Sequence, residues 1–227
     1  MKHATWIAVA TVAFAMAGTA AAQGTKPAPQ AQPFKPFYIG GGAGWANLDL
    51  NTTDFPNSGT INLGALGTVP FNSTRDETSF GWKAFAGWRY NQYLGLEAGY
   101  VDLGRANVQY LVPGQPGSID LKVTDTAWTL AAVGSFPFGQ GFSVLGKLGA
   151  AWHYTKTDTT VSIPGATVSQ TPSDRRTGFL WGLGGAYEFN PNIGVRIEYE
   201  NFGTAGTSDS TGRMGTSLVS GSAIVRF

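Results

Sequence analysis

The sequence predicts an all-β fold, an eight-stranded antiparallel up-and-down transmembrane β-barrel, from three observations. Apolar and polar residues alternate with a period of two in eight segments, which is the periodicity of a strand and not of a helix. The connections between these segments alternate between long and short. Charged residues make up only 13% of a chain that contains 32 glycines, a composition that suits curved strands with one face in lipid.

Each predicted strand is long enough to cross a bilayer, because a tilted membrane strand needs about 9–11 residues. In the fifth predicted strand, Leu148 and Trp152 lie on an apolar face, while Lys147 and His153 lie on the opposite face. Aromatic residues end the apolar faces, where outer-membrane barrels carry aromatic girdles. The predicted strands are Phe37–Leu48, Thr78–Tyr90, Tyr93–Leu103, Asp125–Phe136, Phe142–Tyr154, Thr177–Phe189, Ile193–Phe202 and Met214–Phe227.

The lengths of the connections favour a barrel over a soluble β-sandwich, which would show the same period. Strict alternation of long and short places every short turn at one end of a meander. Outer-membrane barrels have short periplasmic turns and long extracellular loops, so both ends of the barrel are predicted to be periplasmic. The short connections are 91–92, 137–141 and 190–192, and the long ones are 49–77, 104–124, 155–176 and 203–213.

The start of the chain predicts export to the bacterial outer membrane. Residues 1–22 have the features of a cleaved signal peptide: Lys2 precedes a short apolar run, and Ala20–Ala22 offers a small-residue cleavage site. An uncleaved anchor is the alternative. Residues 23–36 are rich in Pro and Gln and are predicted to form an extended periplasmic tail. The barrel is predicted over residues 37–227.

The composition excludes several classes of site. The chain has no cysteine and two histidines, which leaves little material for a transition-metal site or a histidine-based catalytic centre. Without Lys2, 14 of the 15 basic residues remain against 14 acidic ones. A neutral chain gives no electrostatic reason to expect nucleic acid as a partner. No cofactor and no metal site are predicted.

Several strand segments carry a family resemblance. They are Phe37–Gly41, Ala86–Tyr100, Leu148–Trp152, Gly184–Glu188 and Arg196–Tyr199. These segments resemble the transmembrane domain of the OmpA family and related small outer-membrane barrels, and the likeness is confined to strands. The resemblance implies a structural protein that supports envelope integrity, surrounded by outer-membrane lipid and lipopolysaccharide. A barrel without the peptidoglycan-binding domain of longer family members is expected. Phe227 resembles the aromatic signal read by the outer-membrane assembly machinery.

Apolar faces turned to lipid leave charged residues in the lumen. Eight strands enclose a space just wide enough for side chains to fill, and an unpaired buried charge is strongly destabilising. These charges are therefore expected to pair, with Glu188 in reach of Arg196. The predicted network is Lys83, Arg89, Lys147, Arg196 and Arg226 with Glu97, Glu188, Glu198 and Glu200. The resemblance implies a network that blocks or gates a narrow pathway, and a purely structural role stays open beside a gate.

Two further functions are alternatives. One is a narrow gated porin-like channel for ions or small solutes. The other is a lipid-modifying enzyme with His153 as base and Thr155, Asp158 or Ser173 as its partner, but nothing in their spacing requires that arrangement, and no catalytic residue is predicted. The long loops are rich in Thr, Ser and Asn. Because binding functions concentrate in such loops, an extracellular ligand and a merely solvated surface both stay open.

Overall fold

A computed structural model describes residues 34–62, 68–111, 118–163 and 166–227. The predicted signal peptide and most of the predicted tail lie outside these residues. In the described ranges no helix is long and apolar enough to cross a membrane. The strands there are β1 (Phe37–Leu50), β2 (Ser58–Asn62), β3 (Thr68–Asp76), β4 (Thr78–Arg89), β5 (Leu94–Leu111), β6 (Ser118–Pro137), β7 (Phe142–Ile163), β8 (Ala166–Gln170), β9 (Ser173–Glu188), β10 (Ile193–Ala205) and β11 (Met214–Arg226).

Eight of these strands close into a barrel. Strand β1 pairs antiparallel with β4 on one side and with β11 on the other. The order around the wall is β1, β4, β5, β6, β7, β9, β10 and β11, with every neighbouring pair antiparallel. A closed wall leaves no strand edge with unsatisfied backbone groups in lipid. The predicted eight-stranded up-and-down barrel is confirmed.

The three short turns lie at one end of the barrel, which is called the short-turn end below. Two of them are built alike. The Asn91 side chain accepts hydrogen bonds from the backbone N–H groups of Tyr93 and Leu94, both at 2.8 Å. Asn190 does the same for the second and third residues after it, at 2.9 Å each. Asparagine side chains favour turns by this kind of bond.

Several strands continue well past the predicted membrane segments. The prediction of long loops at 104–124 and 155–176 is wrong for most of these residues, which belong to β5, β6, β7 and β9. The period of two continues there, with buried Val108 beside exposed Asn107, but the outward residues become polar. The loss of the lipid-facing signal therefore marks the end of the membrane segment and not the end of the strand.

The extensions form a projecting sheet beyond the barrel wall. Strand β3 pairs with β2 and β5, and β8 pairs with β7, so the order in this sheet is β2, β3, β5, β6, β7, β8. The predicted loop at 49–77 contains the β2–β3 hairpin, which extends the sheet on one side. Phe71 packs edge-on against Tyr110 with ring centroids 5.4 Å apart, and this contact joins the hairpin to β5.

The barrel strands turn their apolar faces outward, as the alternation predicts. Ile197 on β10 is 69% exposed, whereas its neighbour Glu198 is 1% exposed. Aromatic rings gather at two levels of the outer surface. At the level nearer the projecting sheet, the ring centroids of Tyr100 and Trp128 are 5.1 Å apart. At the level nearer the short turns, those of Phe142 and Tyr187 are 4.6 Å apart. Two aromatic levels separated by aliphatic and small residues mark the band that faces lipid.

The interior has two layers of different chemistry. Nearer the short-turn end it is charged, and the charged residues are described in the next section. Nearer the projecting sheet it is mainly apolar, with many side chains that are at most 2% exposed, and it also holds the buried polar group around His153 that is described in the next section. The largest of these apolar side chains are Leu48, Leu50, Leu103, Leu180, Phe202, Met214 and Leu218. Together the two layers fill the barrel with side chains.

A charge placed on the lipid-facing band will impair folding much more than the same charge on the projecting sheet. For Ile197→Arg we expect a loss of about 2–4 kcal/mol in the free energy of folding into a bilayer, because the guanidinium would face lipid near the midplane. Val168→Arg is the matched control, since Val168 is 57% exposed on β8. Urea titrations of refolding into lipid vesicles, read by the mobility difference of unboiled and boiled protein on a gel, measure both. Equal stability of the two variants would contradict the assigned lipid-facing band.

Candidate functional site

A cluster of six charged residues occupies the lumen and is called the central cluster. Its basic and acidic residues are equal in number, so its formal charge is zero. Every side chain in it is at most 7% exposed. Its members are Lys83 on β4, Glu97 on β5, Lys147 on β7, and Arg196, Glu198 and Glu200 on β10.

Lys147 lies in the middle of the central cluster and contacts all three carboxylates. Its Nζ lies 2.5 Å from Glu97 Oε1, 2.8 Å from Glu198 Oε1 and 2.9 Å from Glu200 Oε1. Lys83 also contacts Glu198 and Glu200 of β10, through the carboxylate oxygens that Lys147 does not contact. Its Nζ is 2.7 Å from Glu198 Oε2 and also contacts Glu200 Oε2. The two lysines thus join β4 and β7 to β10 across the lumen.

Arg196 completes the cluster toward the short-turn end. Its Nη1 lies 2.8 Å from Glu97 Oε2 and 3.4 Å from Glu198 Oε1. The hydroxyl of Tyr38 donates a second hydrogen bond to Glu97 Oε2 at 2.9 Å. The guanidinium also lies over the ring of Phe85, 5.1 Å from its centroid. Each carboxylate consequently has at least two cationic partners, which is what stabilises charges away from water.

Small residues on the facing strand make room for the glutamates of β10. Glu198 pairs with Gly184 and Glu200 pairs with Gly182 in the β9–β10 register. A Cβ atom at Gly184 would lie 2.8 Å from Glu198 Cγ, closer than side chains approach one another. The glycines of β9 therefore set the space in which the cluster forms. Sequence reasoning named the six charges but missed Tyr38 and Phe85, whose inward position follows from the same alternation.

The remaining predicted lumen residues lie nearer the short-turn end, separate from the central cluster. Glu188 Oε1 pairs with Arg226 Nη2 at 2.8 Å. Glu188 and Arg196 line the same recess, but no ion pair joins them among the described residues. Arg196 lies deeper and is engaged by Glu97. Arg89 stacks on the ring of Phe34 at 5.1 Å and has no carboxylate within 4.0 Å among the described residues.

The predicted assembly signal, Phe227, lies on the outer surface at the short-turn end. Its side chain is 59% exposed, and its ring stacks on that of Phe37 with centroids 6.4 Å apart. The backbone N–H of Phe227 donates to Phe37 O at 3.0 Å. These contacts join β11 to the start of β1 and close the wall at this end.

His153 belongs to a buried hydrogen-bonded group near the projecting sheet. Its Nδ1 lies 2.7 Å from Asp125 Oδ2, and its Nε2 lies 3.0 Å from the carbonyl oxygen of Phe202. The Thr155 hydroxyl donates to Asp125 Oδ1 at 2.8 Å and not to the histidine. All three side chains are at most 2% exposed. Neither ring nitrogen is free to take a proton from a nucleophile, as a general base must.

The other two partners suggested for His153 lie elsewhere. Asp158 accepts a hydrogen bond from the Thr171 hydroxyl at 2.9 Å on the outer face, and Ser173 is exposed at the start of β9. Within the described ranges, no group of three or more His, Cys, Asp or Glu residues is arranged to hold a metal ion. The arrangement around His153 supports cross-linking of the wall.

The projecting sheet offers a second candidate site, for surface contacts. Its outward face is polar, and Gln109 donates to Asp120 Oδ1 at 2.8 Å across β5 and β6. Strands β2 and β8 form its two edges. At its base, Arg213 Nε donates to Asp54 Oδ2 at 3.0 Å, and this bond lowers the pKa of the Asp54 carboxyl. The bond ties the β1–β2 connection to the β10–β11 connection.

A closed antiparallel barrel with outward apolar faces, two aromatic levels and an internal charge cluster defines a transmembrane barrel of the outer-membrane type. The family described as the OmpA-like transmembrane domain matches residues 33–227. The chain belongs to this family, and the resemblance predicted from the strand segments is confirmed.

Two curated relatives and one solved structure illustrate the similarity. Outer membrane protein A of Yersinia pseudotuberculosis is 28% identical over 212 residues, covering 93% of this chain and 51% of the relative. Outer membrane protein A of Serratia marcescens is 30% identical over 177 residues, covering 75% and 44%. The chain thus spans about half the length of these relatives. The outer membrane protease OmpT of Escherichia coli, 8% identical, superposes with a TM-score of 0.50 over 85% of this chain and 97% of that one, and shows the shared fold alone.

Removal of the central lysine will destabilise the barrel. For Lys147→Met we expect the free energy of unfolding to fall by about 3–5 kcal/mol, because three buried carboxylates would be left with two cations. Combining it with Glu97→Gln restores a formal charge of zero and should recover part of the loss. Lys122→Met, on the projecting sheet, should change the value by no more than about 0.5 kcal/mol. Urea unfolding followed by tryptophan fluorescence measures all four proteins, and equal effects at Lys147 and Lys122 would show that the cluster does not stabilise the barrel.

Proposed function

We propose that this chain is a structural outer-membrane barrel that supports envelope integrity and presents a sheet for contacts outside the membrane. The observation that carries the proposal is the filled interior. The central cluster is neutral and buried, and a mainly apolar layer, whose largest side chains are at most 2% exposed, lies above it. A conducting pore needs a continuous polar path, and the large buried apolar side chains of the second layer interrupt it.

A gated channel is the alternative, and the apolar layer argues against it. Rearrangement of the ion pairs around Lys147 would open only the charged half of the lumen. Leu48, Leu103 and Phe202, each at most 1% exposed, would still fill the other half. Because protein interiors are closely packed, these side chains cannot move aside without a change in the wall.

Single-channel recording tests the structural proposal directly. Residues 23–227, refolded and shown to migrate differently before and after boiling, should leave a planar bilayer electrically quiet. A porin inserted into the same bilayer confirms that the recording detects conduction. Reproducible current steps that change size in Lys83→Ala or Glu97→Gln would contradict the proposal and establish the gated channel.

The proposed orientation places the short turns in the periplasm and the projecting sheet outside the cell. The connections support it, since outer-membrane barrels have short periplasmic turns and long extracellular segments. Residues 1–22 would act as a cleaved signal peptide and residues 23–36 as a periplasmic tail. Phe227 would be read by the outer-membrane assembly machinery. The two aromatic levels would lie at the two interfaces, in contact with outer-membrane lipid and lipopolysaccharide.

Cysteine labelling tests this orientation without background, because the chain has no cysteine of its own. Ser169→Cys, exposed on β8, should react with a membrane-impermeant maleimide on intact cells. Gln140→Cys, exposed in the β6–β7 turn, is the matched variant and should react only after the outer membrane is permeabilised. The reverse pattern would place the projecting sheet in the periplasm.

The proposal includes no enzymatic activity. Its support is the hydrogen bonding of His153, both of whose ring nitrogens are engaged by Asp125 and Phe202. The projecting sheet is the better candidate for a function beyond structure, because its polar outward face and its edge strands β2 and β8 are open to a ligand outside the cell. Exposed edges of this kind can pair with an added strand.

A further inference from the structure

A small recess opens at the short-turn end, below the central cluster. Arg196 and Tyr38 form its floor, and Arg89, Glu188 and Arg226 form its sides. Its lining also includes the turn that contains Asn91, the polar side chains of Ser135 and Ser143, and apolar side chains such as Val133, Leu145 and Ala186. Its free volume is about 40 Å³, which holds about three water molecules at 10–15 Å³ each.

The recess carries an excess of positive charge. The central cluster above it is neutral by itself and has no carboxylate to spare. At the mouth, two guanidinium groups, those of Arg89 and Arg226, face the single carboxylate of Glu188, whose side chain is 37% exposed. Arg226 lines the same recess as Arg89 and Arg196. Buried like charges cost free energy unless an anion lies between them.

Two guanidinium groups in this recess have donors without an acceptor. Arg226 is 7% exposed and Arg196 is 6% exposed. Neither Arg226 Nη1 nor Arg196 Nε has a hydrogen-bond partner among the described residues. A Cβ atom built at Gly194 would lie 3.5 Å from Arg226 Nη1, so this donor lies on the lumen side of β10. A buried N–H group without a partner is expensive, so an acceptor placed in the recess would gain hydrogen bonds from these donors.

We propose that this recess is a binding site for a small oxyanion, a phosphate or carboxylate group. Guanidinium groups bind such groups through charge-assisted hydrogen bonds with matching planar geometry. The free volume admits the ion or a terminal group but no larger body, so the rest of a larger ligand would extend out of the mouth past Glu188. The site is independent of the proposed function, because it needs neither conduction nor a particular orientation.

Titration with inorganic phosphate tests the site. The protein is refolded into micelles of a sugar-headed detergent, which contains no phosphate, and amide NMR signals are followed at constant ionic strength with chloride as the competing salt. We expect saturable shifts at Ser143, Gly194 and Arg226, and none at Gly81 near the apolar layer. Glycerol 3-phosphate carries the same group on a larger body. Tighter binding of it would identify a terminal phosphate group as the ligand, and weaker binding would identify the free ion.

Charge variants separate this site from general attraction of anions. Arg226→Gln should weaken phosphate binding at least about tenfold, the value of one lost hydrogen bond to a charged group. Glu188→Gln should tighten it, because the carboxylate that competes for Arg226 is removed. Arg175→Gln, exposed on β9 near the projecting sheet, should have no effect. Unsaturable shifts, equal shifts with chloride, or weaker binding in Glu188→Gln would overturn the proposal. If Arg226→Gln does not fold, Arg89→Gln at the half-buried mouth replaces it with the same expected direction.

Discussion

The pairing of charges in a space without bulk water is the constraint on which this structure depends. An eight-stranded barrel leaves an interior that side chains must fill, and its outer surface is reserved for apolar residues by the surrounding lipid. Polar residues of the alternating strands have only the lumen to occupy. The six charges of the central cluster satisfy this constraint as a neutral set in which Lys147 contacts all three carboxylates. If each glutamate had a single cationic partner, some of its carboxylate oxygens would lack a bond. In the cluster the cations are shared, so each carboxylate contacts at least two of them.

The same cluster also specifies the register of the wall. Lys83, Lys147 and Glu198 come from strands that are not neighbours, so their contacts fix the relative heights of β4, β7 and β10. A slip of one residue would turn Glu198 into lipid and Ile197 into the lumen. The glycines of β9 opposite the glutamates act in the same sense, because a larger side chain at Gly184 would leave no room for Glu198. Sequence alternation and interior pairing thus select one closed arrangement.

Much of the fold follows from the sequence because lipid imposes a strict alternation. All eight barrel strands and their facing could be predicted from it, for example outward Ile197 and inward Glu198. The strand ends could not, because outside the membrane the outward face becomes polar and the lipid-facing signal disappears while hydrogen bonding continues through Leu111 and Ile163. The pairing inside the lumen was also beyond sequence reasoning. Glu188 and Arg196 lie close in the chain, but Arg196 lies farther from the mouth and pairs with Glu97. Glu188 pairs with Arg226 instead.

The two ends of the lumen differ because their surroundings differ. Beneath the projecting sheet the strands continue, the interior is far from water, and apolar side chains such as Phe202 and Leu218 fill most of it, while Asp125 there is paired with His153. At the short-turn end the strands stop, the mouth meets solvent, and a partly exposed carboxylate such as Glu188 is tolerated. An excess positive charge can persist only at such a boundary, where an ion from solution can compensate it. The free Nη1 donor of Arg226 lies in the recess at this end, where an anion dissolved in the surrounding water can reach it.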